Sequence, residues 1–150
     1  MIRTRLTKAA GALAALAAGA IFAVASPAQP AVAYYSGGLF LDVVPLSPAT
    51  LVASGAAVDV PVEITCNANY YPGLYVEVTE RVGRGIATGN GFTPVACTGG
   101  HQRVLVRVAA DAGRAFGRGD ALVTGYLSGC LAPTFVCAEE TGSREVTVRR

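Results

Sequence analysis

Most of the residues that carry catalysis are scarce or absent in this sequence. It contains no tryptophan and a single histidine, His101, so one residue alone could act as the base of a nucleophilic triad. The G-x-S-x-G elbow does not occur, because the run Gly125–Gly129 places its serine one position too late. The glycines of residues 83–89 lack the G-K-[ST] ending of a phosphate loop. We therefore expect neither enzyme activity nor a cofactor.

Metal ligands are equally few. The four cysteines include no C-x-x-C pair, and only one histidine could join them, which argues against a zinc site. No D-x-D-x-D-G run is present to form a calcium loop. The sequence therefore predicts no metal centre.

Basic residues are in excess only near the start of the chain. The whole sequence has a net charge of +2, whereas residues 34–150 contain nine arginines, no lysine and ten acidic residues. A domain with this balance has no positive field with which to release counterions from a phosphate backbone. The composition therefore excludes nucleic acid as an expected partner.

The first 33 residues have the pattern of a cleavable export signal. Three basic residues precede an uncharged, alanine-rich run over residues 9–25, and Ala31-Val32-Ala33 matches an A-x-A cleavage site. The run is short and only mildly apolar compared with the roughly 20 residues of a membrane span. We expect a signal peptide over 1–33 and one secreted domain over 34–150, with no membrane anchor after cleavage.

The cysteines are typical of an exported domain. An even number of them in a small chain predicts a disulfide framework, and four cysteines allow three connectivities. We favour Cys66 with Cys97 and Cys130 with Cys137, because the second pair is close in sequence and flanks a loop. Chain entropy then gives about 3.7 kcal/mol for the longer closure and about 2.5 kcal/mol for the shorter.

Strand patterns fill the rest of the chain. Apolar residues alternate over 57–66, which is the period of a half-buried strand, and Pro61 predicts that this strand lies at an edge. A guarded edge favours a monomer. The glycines of 83–91 indicate a turn-rich connection with room for one short strand, and no helical period follows residue 33. We therefore predict an all-β, antiparallel sandwich of about seven strands, with strands at 39–46, 51–53, 57–66, 74–82, 102–109, 121–128 and 144–149.

Several of these segments resemble the small secreted immunoglobulin-like domains of actinobacteria. The resemblance covers about residues 39–149 and rests on strand and cysteine patterns such as Val62-Glu-Ile-Thr-Cys66, Val95-Ala-Cys-Thr-Gly99 and Arg103-Val-Leu-Val-Arg-Val108. It implies an immunoglobulin-like sandwich and lends little to function.

Two segments are candidates for binding. A bridge between Cys130 and Cys137 would restrain a short loop that presents Leu131, Pro133, Phe135 and Val136 to solvent, and a restrained loop loses little entropy on docking. In the alternative, Phe135 folds back into the core.

Aromatic side chains form the second candidate. Tyr70 and Tyr71 precede a Pro-Gly turn and could stack on sugars or anchor an interface. In the alternative, one tyrosine of the pair covers the end of the sandwich.

These observations favour a non-catalytic secreted binding or structural module. Its partner would be an extracellular protein or a cell-envelope glycan. Two other classes stay open: a small protease inhibitor that uses the Cys130–Cys137 loop, and a small-ligand carrier similar in outline to the enediyne apoproteins.

Overall fold

The computed structural model describes residues 39–131 and 135–150. The predicted signal peptide and its cleavage site lie outside the described residues. The described chain forms eight β-strands, a short 3-10 turn at Ala53–Gly55 and no α-helix, so the all-β prediction is confirmed. The strands are β1 (Leu41–Pro45), β2 (Ala49–Val52), β3 (Ala57–Cys66), β4 (Gly73–Val82), β5 (Gly85–Pro94), β6 (His101–Ala110), β7 (Gly119–Leu131) and β8 (Val136–Arg149).

The strands close into a seven-stranded barrel, which corrects the predicted sandwich of two separate sheets. The hydrogen-bonded ring runs β3, β2, β8, β7, β4, β5, β6 and back to β3, while β1 pairs with β3 outside the ring. Three short pairings close it. Strand β2 pairs antiparallel with β3 and parallel with β8, and β5 pairs with β6 through Gly89 and Asn90. Pairings of only two or three residues do not change the alternation of apolar and polar residues, so the sequence could not predict the closure.

Strand β5 is the element that the sequence analysis most underestimated. It is ten residues long and pairs with β4 from end to end, where the glycines had indicated a turn-rich connection. Its glycines serve close approach instead. A Cβ atom on Gly89 would lie 2.1 Å from the Ala109 carbonyl oxygen, and one on Gly91 would lie 2.3 Å from that of Arg107.

Pro61 does not mark an edge strand, because β3 pairs on both sides with β1, β2 and β6. The proline falls between the β1 pairing, which ends at Val62, and the β2 pairing, which begins at Asp59. Its missing N–H faces this gap, where the Leu46 N–H donates to the Pro61 carbonyl at 2.8 Å. Because Pro61 does not lie at an edge of the sheet, it gives no support to the expectation of a monomer.

The core fills the barrel with the inward residues of each strand. The alternation predicted for β3 is confirmed, since Val58, Val60, Val62 and Ile64 are fully buried. The buried carboxylate of Glu80 accepts a hydrogen bond from the Gly117 N–H at 2.8 Å. Glu77 is exposed on the opposite face of the same strand, so the two carboxylates point away from each other.

A paired acid and arginine join β3 to β6 on the outside of the barrel. Asp59 accepts two hydrogen bonds from Arg107, at 2.7 Å from Nε and 2.8 Å from a terminal nitrogen. The hydrogen bond from Arg107 lowers the pKa of Asp59, and partial desolvation opposes this shift without reversing it. A depressed folded-state pKa contributes stability above the unfolded value, near 3.9, and that contribution is lost as pH falls through the folded pKa.

Asp59→Asn should therefore lower the melting temperature at pH 7, and its difference from the wild type should narrow below about pH 4. Thermal unfolding followed by circular dichroism between pH 7 and pH 2 measures both effects. Asp120→Asn is the matched control, because Asp120 accepts a hydrogen bond from the Thr147 hydroxyl and not from an arginine. A difference that stays constant across this range would contradict the assigned role.

Candidate functional site

Both predicted disulfides are present. Cys66 and Cys97 are buried, with a Cα–Cα distance of 5.6 Å, and their bridge ties the end of β3 to the connection between β5 and β6. Cys130 and Cys137 are direct partners on β7 and β8 and are both exposed. The second bridge therefore closes the tip of a hairpin.

Phe135 is the most exposed apolar side chain among the described residues of the hairpin tip. Phe135 is 78% exposed and adopts a left-handed backbone conformation, with φ at 52°, and its N–H donates to the Leu131 carbonyl at 2.7 Å. The alternative in which Phe135 plugs the core is therefore wrong. Leu131 and Val136 are half-buried and pack against the core, which corrects the expectation that they point into solvent. Pro133 lies outside the described residues.

The two adjacent tyrosines differ in their burial. Tyr70 is buried, and burial raises the pKa of its phenol, with the backbone of Ala138 acting weakly against that shift. Tyr71 is 75% exposed. Tyr70 therefore closes one end of the core, as the alternative interpretation held, and only Tyr71 is available to a ligand.

Tyr71 belongs to a larger exposed cluster that the sequence analysis missed. Strand register makes Phe92, Tyr75 and Tyr126 direct neighbours across β5, β4 and β7. The rings of Tyr75 and Tyr126 lie 6.0 Å apart, and Phe92 is 66% exposed. Tyr71 is 75% exposed and lies two residues before the start of β4, the strand that carries Tyr75. We refer to Tyr71, Tyr75, Phe92 and Tyr126 as the aromatic face.

Gly73 allows the aromatic face to be continuous. It lies between Tyr71 and Tyr75 on the outer side of the sheet and carries no side chain of its own. The Phe92 ring occupies that space, since a Cβ atom on Gly73 would lie 2.7 Å from the ring carbon Cε2. The glycine thus lets an aromatic ring from the neighbouring strand lie against the β4 backbone.

Polar and acidic groups border the aromatic face on both sides. One residue row further along the strands, the outward side chains are Asn90, Glu77, Thr124 and Ser143, and the Thr124 and Ser143 hydroxyls are 3.0 Å apart. The row on the other side carries Pro94, Gly73, Ser128 and Glu139. Across the β5, β4, β7 and β8 positions of these three rows, two side chains are acidic and none is basic.

Candidate metal ligands are scattered over the described residues. These residues hold no group of three His, Cys, Asp or Glu side chains that could share an ion. His101 is exposed on β6, with Nδ1 at 3.0 Å from the Thr65 hydroxyl and 3.7 Å from Glu63. Glu140 faces Asp42, and burial followed by the charge of Asp42 raises the pKa of Glu140. This pair of acids has no third ligand with it.

The described residues line at least two surface cavities. One of about 430 Å³ is lined by residues that include Leu51, Phe116, Arg118 and Arg150, and one of about 320 Å³ lies beside Cys130 and Cys137. Both are formed by strand ends, loops and surface side chains. Apart from Cys130 and Cys137, which form a disulfide, neither cavity is lined by a residue that the sequence analysis had named as a candidate site residue.

Comparison with known proteins adds no relative. No protein-family model matches the chain, and no curated protein is significantly similar to it. Among the described residues, no helix is long and apolar enough to cross a membrane. The surface chemistry of the described residues is therefore the basis for a proposal about function.

Proposed function

We propose that this chain is an exported, non-catalytic binding module that holds a glycan chain of the cell envelope on its aromatic face. A single observation carries the proposal: Phe92, Tyr75 and Tyr126 lie side by side on the outer side of three adjacent strands, and the exposed Tyr71 lies just before the middle one. Scattered exposed apolar residues need no explanation, but a contiguous patch marks an interaction surface.

The shape of the aromatic face suits a sugar chain. Neighbouring strands are spaced by about 4.8 Å, so rings on adjacent strands repeat at a distance comparable to the length of one pyranose unit. Aromatic rings offer a flat apolar surface to the C–H side of a sugar, and the bordering hydroxyl, amide and carboxylate groups can hydrogen-bond its hydroxyls. Because the rings are held on paired strands, little conformational entropy is lost when a ligand binds.

Export is part of the same proposal. The basic and alanine-rich N-terminal pattern supports it, and two disulfides are compatible with an oxidising compartment outside the cytosol. The resemblance to secreted immunoglobulin-like domains of actinobacteria is also retained as a proposal. Its support is the strand connectivity, in which β3 pairs with β6, and β8, β7 and β4 pair in succession.

The proposal predicts that single alanine substitutions on the aromatic face abolish most of the binding. Tyr75→Ala and Tyr126→Ala should each weaken binding to cell-envelope polysaccharide by about tenfold, because each removes one stacking surface. Co-sedimentation with purified wall polysaccharide and calorimetry with soluble oligosaccharides measure the loss. Leu122→Ala is the matched control, since Leu122 is 53% exposed on β7 two residue rows from Tyr126. Equal binding by all of these variants would overturn the proposal.

One observation favours a second candidate function, which is protein docking through the hairpin tip. Phe135 is the most exposed large apolar side chain of the described residues, and the adjacent disulfide restrains the hairpin that carries it. The left-handed backbone of Phe135 is unlike the extended backbone of a strand that adds to another sheet. Phe135 is therefore better suited to insert its side chain into a pocket of the partner than to pair with it through backbone hydrogen bonds. Capture from a secretome that Phe135→Ser abolishes and Tyr75→Ala leaves intact would support this candidate.

A further inference from the structure

We infer that the aromatic face selects uncharged glycan chains and rejects anionic ones. The inference rests on the proposed function and concerns the same site. It is drawn from the charges that border the rings, which belong to both neighbouring residue rows.

The two acidic residues flank the rings from opposite sides. Glu77 lies on β4 two residues beyond Tyr75, and Glu139 is the β8 partner of Ser128, in the row on the other side of Tyr126. Both are exposed. Two residues along a strand span about 7 Å, so a charge seated on these rings would lie within or close to the Debye length of about 8 Å at physiological ionic strength.

The nearby arginine does not offset these acids. On the next strand, β6, Arg107 faces outward, but both of its hydrogen bonds to Asp59 hold its guanidinium in a neutral pair. On the β5 side, Asn90 lies 3.5 Å from Asp111, whose other carboxylate oxygen accepts a hydrogen bond from Thr88. The immediate surroundings of the aromatic face are therefore acidic in sum.

A carboxylate in this position acts differently on two kinds of sugar. It accepts hydrogen bonds from the hydroxyl groups of a neutral chain, and such charge-assisted bonds are stronger than neutral ones. Against a carboxylated or phosphorylated chain, it adds like-charge repulsion that salt can screen. The same two residues therefore favour neutral chains and disfavour anionic chains.

Pairs of polysaccharides that differ only in charge provide the test. Hydroxyethyl cellulose, a soluble xylan and a soluble β-1,3-glucan would each be compared with the carboxymethylated polymer of the same backbone. The wild type should bind the neutral member about fivefold more tightly at low ionic strength, and the preference should shrink towards unity at high salt. Affinity electrophoresis or biolayer interferometry gives both quantities.

Substitution of the acids should remove the preference without removing the site. The double variant Glu77→Gln and Glu139→Gln should bind both members of a pair about equally and should lose the salt dependence. Glu145→Gln is the matched control, because Glu145 is exposed on β8 opposite Leu122, two residue rows from the aromatic face, and it should retain the preference.

The possible failures are distinguishable. Equal binding of both polymers by the wild type, lost in Tyr75→Ala, would overturn the charge selectivity and leave the proposed function standing. Tighter binding of the carboxymethylated polymer would overturn the selectivity in the same way. Binding of neither member of any pair by a protein that still co-sediments with wall polysaccharide would overturn the selectivity alone. Failure to bind wall polysaccharide as well, or binding that Tyr75→Ala does not change, would overturn the proposed function together with the selectivity.

Discussion

Alanine at position 142 is expected to destabilise the barrel by about 3 kcal/mol, near the upper end of the usual cost of overpacking. Gly142 on β8 and Gly125 on β7 are direct partners, and Val43 of β1 packs against both of them where side chains would otherwise lie. A Cβ atom on Gly142 would lie 1.9 Å from the Val43 carbonyl oxygen. Because the obstacle is backbone, no rotamer change can relieve it, and β1 must move away from β8. Urea unfolding with both disulfides intact measures the loss.

Two other glycines serve as controls of graded severity. Gly100→Ala meets nothing within 4 Å and should be neutral or slightly stabilising, since alanine restricts the unfolded chain. Gly125→Ala should cost less than Gly142→Ala, because its Cβ atom would lie 2.9 Å from Cγ2 of the Val43 side chain. Val43→Ala should rescue part of the Gly125 loss and none of the Gly142 loss. If Gly142→Ala were as stable as Gly100→Ala, the position of β1 against β8 would be wrong.

Removal of the Cys66–Cys97 bridge is expected to cost at least about 3.7 kcal/mol, compared with about 2.5 kcal/mol for the Cys130–Cys137 bridge. The first bridge closes a separation of 31 residues and the second a separation of 7. Packing widens the difference. Cys66 and Cys97 are 1% and 7% exposed, so their replacement by alanine also leaves a void in the core, whereas the other two sulfurs are at the surface.

Paired alanine variants test this ranking by urea unfolding under non-reducing conditions. The Cys130→Ala, Cys137→Ala variant should also keep full binding on the aromatic face, because its bridge lies at the hairpin tip. In the wild type, a mild reductant without denaturant should open the exposed bridge first. A larger stability loss from the exposed pair than from the buried pair would contradict the assignment of Cys66–Cys97 as the core bridge.

Much of the fold was predictable where apolar and polar residues alternate along a single strand. The valines of β3 repeat every two residues, and each one lies in the core because alternation is a local property of an extended chain. The disulfide pairing was also predictable, since one pair was close in sequence. The long final strand was not. In residues 138–145 of β8, acidic residues, glycine and serine break the alternation of apolar and polar side chains. One reason is that β1 lies against the inner side of this strand, where Gly142 leaves room for it.

The candidate site was predicted only in part. Tyr71 was found because it stands beside another aromatic residue at a turn. Tyr75 and Phe92 gave no such signal, since each is a single outward residue of its strand, and Phe92 falls in a glycine-rich stretch that resembled a turn. The sequence favoured the Cys130–Cys137 loop, but of its apolar residues described by the structure Phe135 alone is fully exposed.

The sequence alone therefore determined the all-β class and the inward face of the central strand, and it favoured the disulfide pairing that the structure contains. These features follow from residue type and from local spacing. Only the tertiary structure decided the closure of the barrel, the central place of the strand containing Pro61 and the assembly of the aromatic face. Each of these depends on register between strands that are distant in sequence, and register is fixed by packing of the whole barrel and not by any one segment.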